Sequence, residues 1–295
     1  MLRFLAAAFA ALLWPVCGHA ADLTLESASG HVIPVEVNGR RLMLRVDPGV
    51  SGYIILNPAA AKQAGLKGSL IGLRAPIGPV TLRGETDRTR VSIGGVVSRI
   101  RVAWADRDVF PGADGLISPE AMPYDRVTLK MAPPSGTAKT INLPVSYATS
   151  EGIYLRFKVG DENVTARFST ANPWTQATAS AGAHIASHFG GFWKAPATRQ
   201  VIKFGVDRPV RLMGLQRSLN LIGLSVDQFF VRTSDNGGGL ALPADQAADP
   251  DEIVVTAKVK SKQPRRLALV VGLDRLASCS SVTYHRVVKR LSFAC

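Results

Sequence analysis

Apolar and polar residues alternate along residues 32–49, and this alternation predicts a β-hairpin. Two runs rich in β-branched and apolar side chains flank Asn38-Gly39, a pair that is typical of the tight turn of a hairpin. The second run, Leu42–Val46, ends at Asp47, and a Pro-Gly turn follows. An acid at the tip of an apolar strand is either a turn residue or a site residue that the sheet holds rigidly.

The same pattern recurs 122 positions later, over residues 154–171. In both copies ten positions separate the last residue of the first strand, Val37 or Val159, from the tip residue, Asp47 or Ser169. A short strand and an Ala-rich helix are predicted after each copy. A repeat without a gap predicts two tandem units of the same fold.

These motifs resemble those of the retropepsin-like and pepsin-like aspartic proteases. Asp47-Pro48-Gly49 follows the hairpin where that family has Asp-Thr-Gly or Asp-Ser-Gly. A second family signature, two apolar residues and Gly, is similar to Val270-Val271-Gly272 and, with Ser for the last Gly, to residues 113–118. A helix-sized piece and a closing strand follow each, at Arg126–Met131 and Ser281–Arg286. The resemblance implies an all-β, two-lobed fold of retropepsin-like barrels with short helices.

The resemblance, together with composition, predicts how the chain is divided. Residues 22–131 are expected to form the first lobe and residues 141–295 the second. A linker at 132–140 is rich in Pro, Gly and Ser. A segment at about 236–266, with a Gly-rich entry and many charges, resembles an insertion in the second lobe.

Residues 1–20 predict a removed signal peptide, because a positive start and an apolar run precede a small-x-small site. A membrane anchor is the alternative, but the run is shorter than the roughly 20 residues that span a bilayer. No other stretch is apolar enough to span, so we expect a periplasmic or secreted protein. Removal of the signal peptide would also remove Cys17 and leave two cysteines, Cys279 and Cys295. An even pair in an exported protein predicts a disulfide, with two free thiols as the alternative.

The formal net charge is +13, and most of the excess is Arg. Four arginines recur at period 2, which predicts a solvated face of an antiparallel strand pair: Arg88, Arg90, Arg99 and Arg101. Export and the lack of a recognition motif argue against a nucleic-acid partner. Attraction to anionic lipid headgroups or acidic peptides is the functional alternative to a solvated face.

The resemblance implies that Asp47 is the catalytic acid, with Gly49 in its loop and Ser169-Thr170 at the partner position. In that family two carboxylates share one proton and divide the acid and base roles. Ser169 cannot act as a base near neutral pH, Pro48 lacks a hydroxyl and an N–H, and Ala171 replaces a Gly. These departures favour a degenerate member that needs no cofactor and binds peptide or protein between its lobes.

The resemblance also implies substrate-binding residues, namely the flap region Leu73–Thr86 and Asp114. Without a second carboxylate, Asp47 is expected to keep an ordinary pKa and to be ionised at neutral pH. The first alternative is an active aspartic endopeptidase, a hydrolase whose second acid comes from elsewhere in the chain or from dimerisation. The second alternative is an envelope interaction protein, because Glu252–Ala257 resembles the TonB box, a short strand that TonB-like proteins bind by strand addition. The same residues could also form an ordinary edge strand.

His184 and His188 are four positions apart on a predicted helix, a spacing that can place two imidazoles on a metal. The Glu that would follow the first His in a metalloprotease is missing. We therefore expect two surface histidines and no metal site.

Overall fold

The structure is a computed structural model, and it describes residues 22–131, 133, 139–233, 235 and 266–295. Strands dominate, and the expected all-β fold is confirmed. The strands of the first half are β1 (Asp22–Leu25), β2 (Val32–Val37), β3 (Arg40–Val46), β4 (Ile54–Leu56), β5 (Leu73–Ile77), β6 (Val80–Ile93), β7 (Val96–Ala105), β8 (Gly115–Ile117) and β9 (Arg126–Lys130).

The second half contributes the remaining strands and the longest helix. Its strands are β10 (Thr140–Pro144), β11 (Ser146–Ala148), β12 (Gly152–Val159), β13 (Glu162–Phe168), β14 (Gln176–Ala177), β15 (Gly191–Trp193), β16 (Thr198–Lys203), β17 (Val206–Leu221), β18 (Leu224–Arg232), β19 (Ala268–Val271), β20 (Ser281–His285) and β21 (Arg290–Ala294). The helices are α1 (Pro58–Gln63), α2 (Ala179–Phe189) and α3 (Leu273–Leu276), with 3-10 turns at Ser27–Ser29 and Pro119–Ala121.

The hairpin β2–β3 forms where the alternation places it. Asn38 and Gly39 have φ values of 49° and 77°, the left-handed conformation that the tight hairpin turn requires and that Asn and Gly adopt most easily. The apolar positions Leu42, Leu44 and Val46 are fully buried, while the side chains between them are more exposed. The strand therefore points one face into the core and carries Asp47 to its end.

The two lobes have matching strand orders. The first sheet runs β2-β3-β8-β4-β7-β6-β5, and the second contains the series β12-β13-β19-β14-β18-β17. The directions match as well, because β3 is parallel to β8 as β13 is to β19, and β4 is parallel to β7 as β14 is to β18. α1 follows β4 and α2 follows β14. The sequence repeat thus has a direct counterpart in the topology.

A third sheet joins the halves of the chain. Its order is β1-β9-β20-β21-β10, so strands of both halves alternate within it. β9 and β20 are the closing strands expected at Arg126–Met131 and Ser281–Arg286, each one residue shorter, and they pair with each other in antiparallel register. The predicted disulfide between Cys279 and Cys295 is present and fixes the end of β21.

Several predicted segments lie outside the described residues. These are residues 1–20, almost all of 236–266, and the TonB-box-like stretch Glu252–Ala257. The predicted linker 132–140 is described only in part. At its end Lys139 already donates its backbone N–H to the carbonyl of Cys295 at 2.8 Å, and Thr140 begins β10. The ordered sheet therefore starts inside the segment that composition assigns to a linker.

The arginine face lies on the long hairpin β6–β7. Arg88 stands opposite Arg101, and Arg90 stands opposite Arg99. Three of the four are exposed, as expected of a solvated face. Arg101 is half-buried and donates from Nη1 to the hydroxyl of Thr86 at 2.9 Å. Over the described residues no helix combines the length and the apolar character that crossing a membrane requires.

Candidate functional site

The tips of β3 and β13 meet where the two lobes join. The hydroxyl of Ser169 donates to Oδ2 of Asp47 at 2.9 Å. Both side chains are buried, with exposed fractions of 3% for Asp47 and 5% for Ser169. The repeat therefore brings the two tip residues together, whatever role they have.

The Asp47 carboxylate is surrounded by donors. Besides Ser169, the backbone N–H groups of Thr170 and Gly49 donate to Oδ1, at 2.8 Å and 3.3 Å. Burial raises the pKa of Asp47, and these three donors and the charge of Arg45 act in the opposite direction without cancelling it. The expectation of an ordinary pKa is therefore wrong. That expectation took into account only repulsion by a second carboxylate, whereas burial away from water also disfavours the ionised form of a carboxyl group.

The loop around Asp47 is braced from one side only. The hydroxyl of Thr170 lies 3.5 Å from the carbonyl oxygen of Val46 in the other lobe. The residue equivalent to Thr170 in the first copy of the repeat is Pro48. Proline has no hydroxyl, so the first lobe cannot make the corresponding hydrogen bond to the second. Gly49 is required for packing, because a Cβ there would come within 2.8 Å of the Cβ of Ser169.

No second carboxylate of the described residues forms a hydrogen bond with Asp47. Asp114, a predicted substrate-binding residue, instead accepts from the backbone N–H of Met43 at 2.7 Å. Met43 lies in the middle of β3, four residues before the tip residue Asp47. In the structure Asp114 caps the backbone of β3, and its role in substrate binding stays a prediction.

A cleft of about 800 Å³ lies between the lobes, beside the tips. The predicted flap region Leu73–Thr86 is the hairpin β5–β6, and residues 71–78 form one wall of the cleft. Residues of β13, β14, β16 and β19 form the opposite wall. Neither Asp47 nor Ser169 is among the residues that line the cleft.

Sequence reasoning missed a second flap, the hairpin β16–β17 of the other lobe. Its turn carries Phe204 and Gly205, with φ values of 52° and 65°. Phe204 and Val206 pack in one apolar cluster with Ala75 and Ile77 of the first flap. The two flaps therefore touch across the cleft. The signal was available, because the repeat predicts a flap in each lobe.

Sequence reasoning also missed the charge of the cleft. The described residues that line it include six cationic side chains and two carboxylates: Arg74, Arg101, Arg167, Lys203, Arg232 and Arg266, with Glu151 and Asp235. Lys203 is half-buried, and its ammonium lies 4.7 Å from the centre of the Phe204 ring. Burial and then the charges of Arg167 and Arg266 lower the pKa of Lys203 to about 7, against the opposing charge of Glu151.

One histidine of the predicted pair differs from the expectation of two surface residues. His184 is buried and its Nε2 lies 2.7 Å from the carbonyl oxygen of Val159. It is therefore not a surface residue, because strands cover the face of α2 on which it lies. His188 is exposed, as expected. No group of three potential metal ligands occurs among the residues that the structure describes.

Comparison with known proteins gives little beyond this geometry. No protein-family model matches the chain. No curated protein matches it. Among solved structures the chain is similar to the aspartic proteinase from Irpex lacteus, at 11% identity and a TM-score of 0.42, over 89% of this chain and 93% of that chain. A similarity at this level carries no functional argument, so the role of the site is argued from its own atoms.

Proposed function

We propose that this protein is a catalytically degenerate member of the aspartic-protease fold that binds peptide or protein in the cleft between its lobes. The observation that carries the proposal is the pairing of Asp47 with Ser169 instead of with a second carboxylate. The burial of Asp47, which is 3% exposed and does not line the cleft, supports the same conclusion.

The chemistry of amide hydrolysis explains why this pairing matters. Water attack needs a base for the water and an acid for the leaving nitrogen. The Ser169 hydroxyl is already committed, because it donates to Asp47 and accepts from the backbone N–H of Asn172 at 3.0 Å. Asp47 can fill one role at a time. The described part of the site holds no group placed for the other.

The cleft retains what binding needs. Its volume falls within the roughly 300–1,000 Å³ of typical ligand pockets. One wall is β5, which pairs only with β6 among the described strands and so is the edge of its sheet. A free sheet edge beside a cleft can bind an extended peptide by strand addition, with main-chain hydrogen bonds giving the affinity.

A blocking substitution tests this proposal. Val270 lines the cleft from β19, so Val270→Trp should place an indole in the space a peptide needs. We expect fluorescence anisotropy to show at least a tenfold loss of affinity for peptides that bind the unmodified protein. Val287→Trp is the matched control, because Val287 is 73% exposed and does not line the cleft. Equal affinities for the two variants would contradict binding in the cleft.

The proposal includes export. The disulfide between Cys279 and Cys295 is the kind of bond that persists in oxidising compartments. A periplasmic or secreted location would agree with it, and fractionation of cells that express the full chain tests it directly. Recovery in the cytoplasmic fraction would contradict this part of the proposal.

A further inference from the structure

The side chain of Arg167 carries a buried charge with incomplete pairing. The residue is 9% exposed and lines the cleft. Its Nε and Nη1 atoms have no hydrogen-bond partner among the described residues. The neighbouring carboxylate of Glu151 has Oε2 4.0 Å from Nη1, which is too far for a hydrogen bond. A guanidinium cannot lose its charge in a protein, so burial in this state is costly unless something else pairs with it.

The repeat supplies an internal comparison. The equivalent of Arg167 in the first lobe is Arg45, which also stands two residues before the strand tip. Arg45 donates from Nη2 to the carbonyl of Thr170 at 2.5 Å and lies over the ring of Phe110 at 4.8 Å. The first lobe therefore gives its arginine two partners within the protein, although the Nε atom of Arg45 also has no hydrogen-bond partner among the described residues. The second lobe leaves its arginine facing the cleft.

The surroundings of Arg167 add positive charge. Glu151 is already bound by Arg266, whose Nη2 lies 2.5 Å from its Oε1. Arg232 is paired with Asp235 at 3.0 Å. The ammonium of Lys203 lies over the ring of Phe204, and no carboxylate of the described residues forms a salt bridge with it. We call Arg167, Lys203, Arg232 and Arg266 the basic wall. Among the described residues two carboxylates, Glu151 and Asp235, pair with three of these four cations.

We propose that the basic wall, centred on Arg167, binds a carboxylate of an acidic peptide lying in the cleft. The proposal rests on the proposed function and adds the charge class of the ligand. A monoanionic carboxylate offsets part of the positive charge that Glu151 and Asp235 leave uncompensated on the basic wall. The Nε and Nη1 atoms of Arg167 are themselves buried, so the ligand compensates the charge of the guanidinium and does not bond to these two atoms. Asp and Glu side chains are the anions that an unmodified peptide carries, so the proposed peptide ligand makes a carboxylate the anion expected in this cleft.

Paired peptides test the proposal. One labelled octapeptide alternates Glu with small apolar residues, and its partner has Gln in place of every Glu. We expect anisotropy at pH 6 and 0.15 M salt to show the Glu peptide binding at least tenfold more tightly. Arg167→Met should remove that preference, so that the Glu and Gln peptides bind this variant with similar affinities. Arg290→Met, a change of the same charge at an exposed residue, should leave both affinities unchanged.

Stability supplies a second readout. Replacing a buried, poorly paired charge by an apolar side chain is often neutral or stabilising, whereas removing a paired one is costly. Arg167→Met should therefore unfold at the same or a higher urea concentration, and Arg45→Met at a lower one. A large loss of stability in Arg167→Met would overturn the inference, because Arg167 would then be a structural residue.

The outcomes separate this inference from the proposed function. Equal binding of the Glu and Gln peptides overturns the inference and leaves the proposed function standing. Failure of both peptides to bind at millimolar concentration overturns both. Stronger binding of inorganic phosphate or of a phosphopeptide overturns the assignment to a carboxylate.

Discussion

Ser169→Ala is the substitution that examines the centre of the molecule most sharply. The Ser169 hydroxyl donates to Asp47 at 2.9 Å and accepts from the N–H of Asn172 at 3.0 Å. A hydrogen bond to a charged group contributes about 1.5–3 kcal/mol, and a buried donor left unsatisfied costs about 1–3 kcal/mol. Because Asn172 is half-buried and water can reach part of it, we expect a loss of about 3 kcal/mol in the free energy of unfolding.

Urea denaturation at pH 7 measures this loss. Ser225→Ala is the control, since Ser225 is an exposed serine in β18 and surface changes usually stay within about 0.5 kcal/mol. A loss below about 1 kcal/mol for Ser169→Ala would refute the view that the Asp47–Ser169 contact stabilises the junction of the two lobes. It would show that the backbone N–H groups of Thr170 and Gly49 are sufficient to stabilise the buried carboxylate of Asp47.

Two further predictions concern the disulfide and pH. Reduction of the Cys279–Cys295 bond should lower the free energy of unfolding by about 3 kcal/mol, measured by urea unfolding with and without reductant; unchanged stability would mean that β21 is held by its sheet alone. Because Lys203 has a pKa of about 7 in the free protein, its charge is complete below that pH and is lost above it. The affinity for the Glu peptide should therefore fall severalfold from pH 6 to pH 8, and this dependence should disappear in Lys203→Met. A flat profile in the unmodified protein would show that Lys203 does not contact the ligand.

The local elements and the meeting of the strand tips could be predicted from the sequence. Alternation around Asn38-Gly39 depends on residues close in the chain, and both the turn and the buried face follow it. The repeat added non-local information, because equivalent positions in two similar lobes must face each other across their axis. Asp47 and Ser169 meet for that reason.

The contacts that depend on long-range packing could not be predicted. Nothing local indicates that β9 pairs with β20 or that Phe204 reaches the other flap. The raised pKa of Asp47 comes from burial, which a charge count along the chain does not reveal. His184 was misplaced for the same reason, because α2 has strands packed against it.

The arginine two residues before each strand tip has different surroundings in the two lobes, although its position in the repeat is the same. Arg45 and Arg167 occupy the same place in their copies, so the sequence gives no reason to treat them differently. Phe110 and the carbonyl of Thr170 contact the first and come from distant parts of the chain, and only its Nε atom is buried without a hydrogen-bond partner among the described residues. The second has the carboxylate of Glu151 at 4.0 Å, and two of its nitrogens have no hydrogen-bond partner among the described residues. Only the folded structure distinguishes the two.

Peptide cleavage tests the central claim most directly. A pool of peptides, including the acidic octapeptide, is incubated with the protein from pH 3 to pH 8 and analysed by mass spectrometry, with Asp47→Asn in parallel. Since Asp47 faces Ser169 and no second carboxylate of the described residues bonds to it, we predict that every peptide is recovered intact with both proteins. Cleavage by the unmodified protein that disappears in Asp47→Asn would contradict the account and identify an active aspartic peptidase.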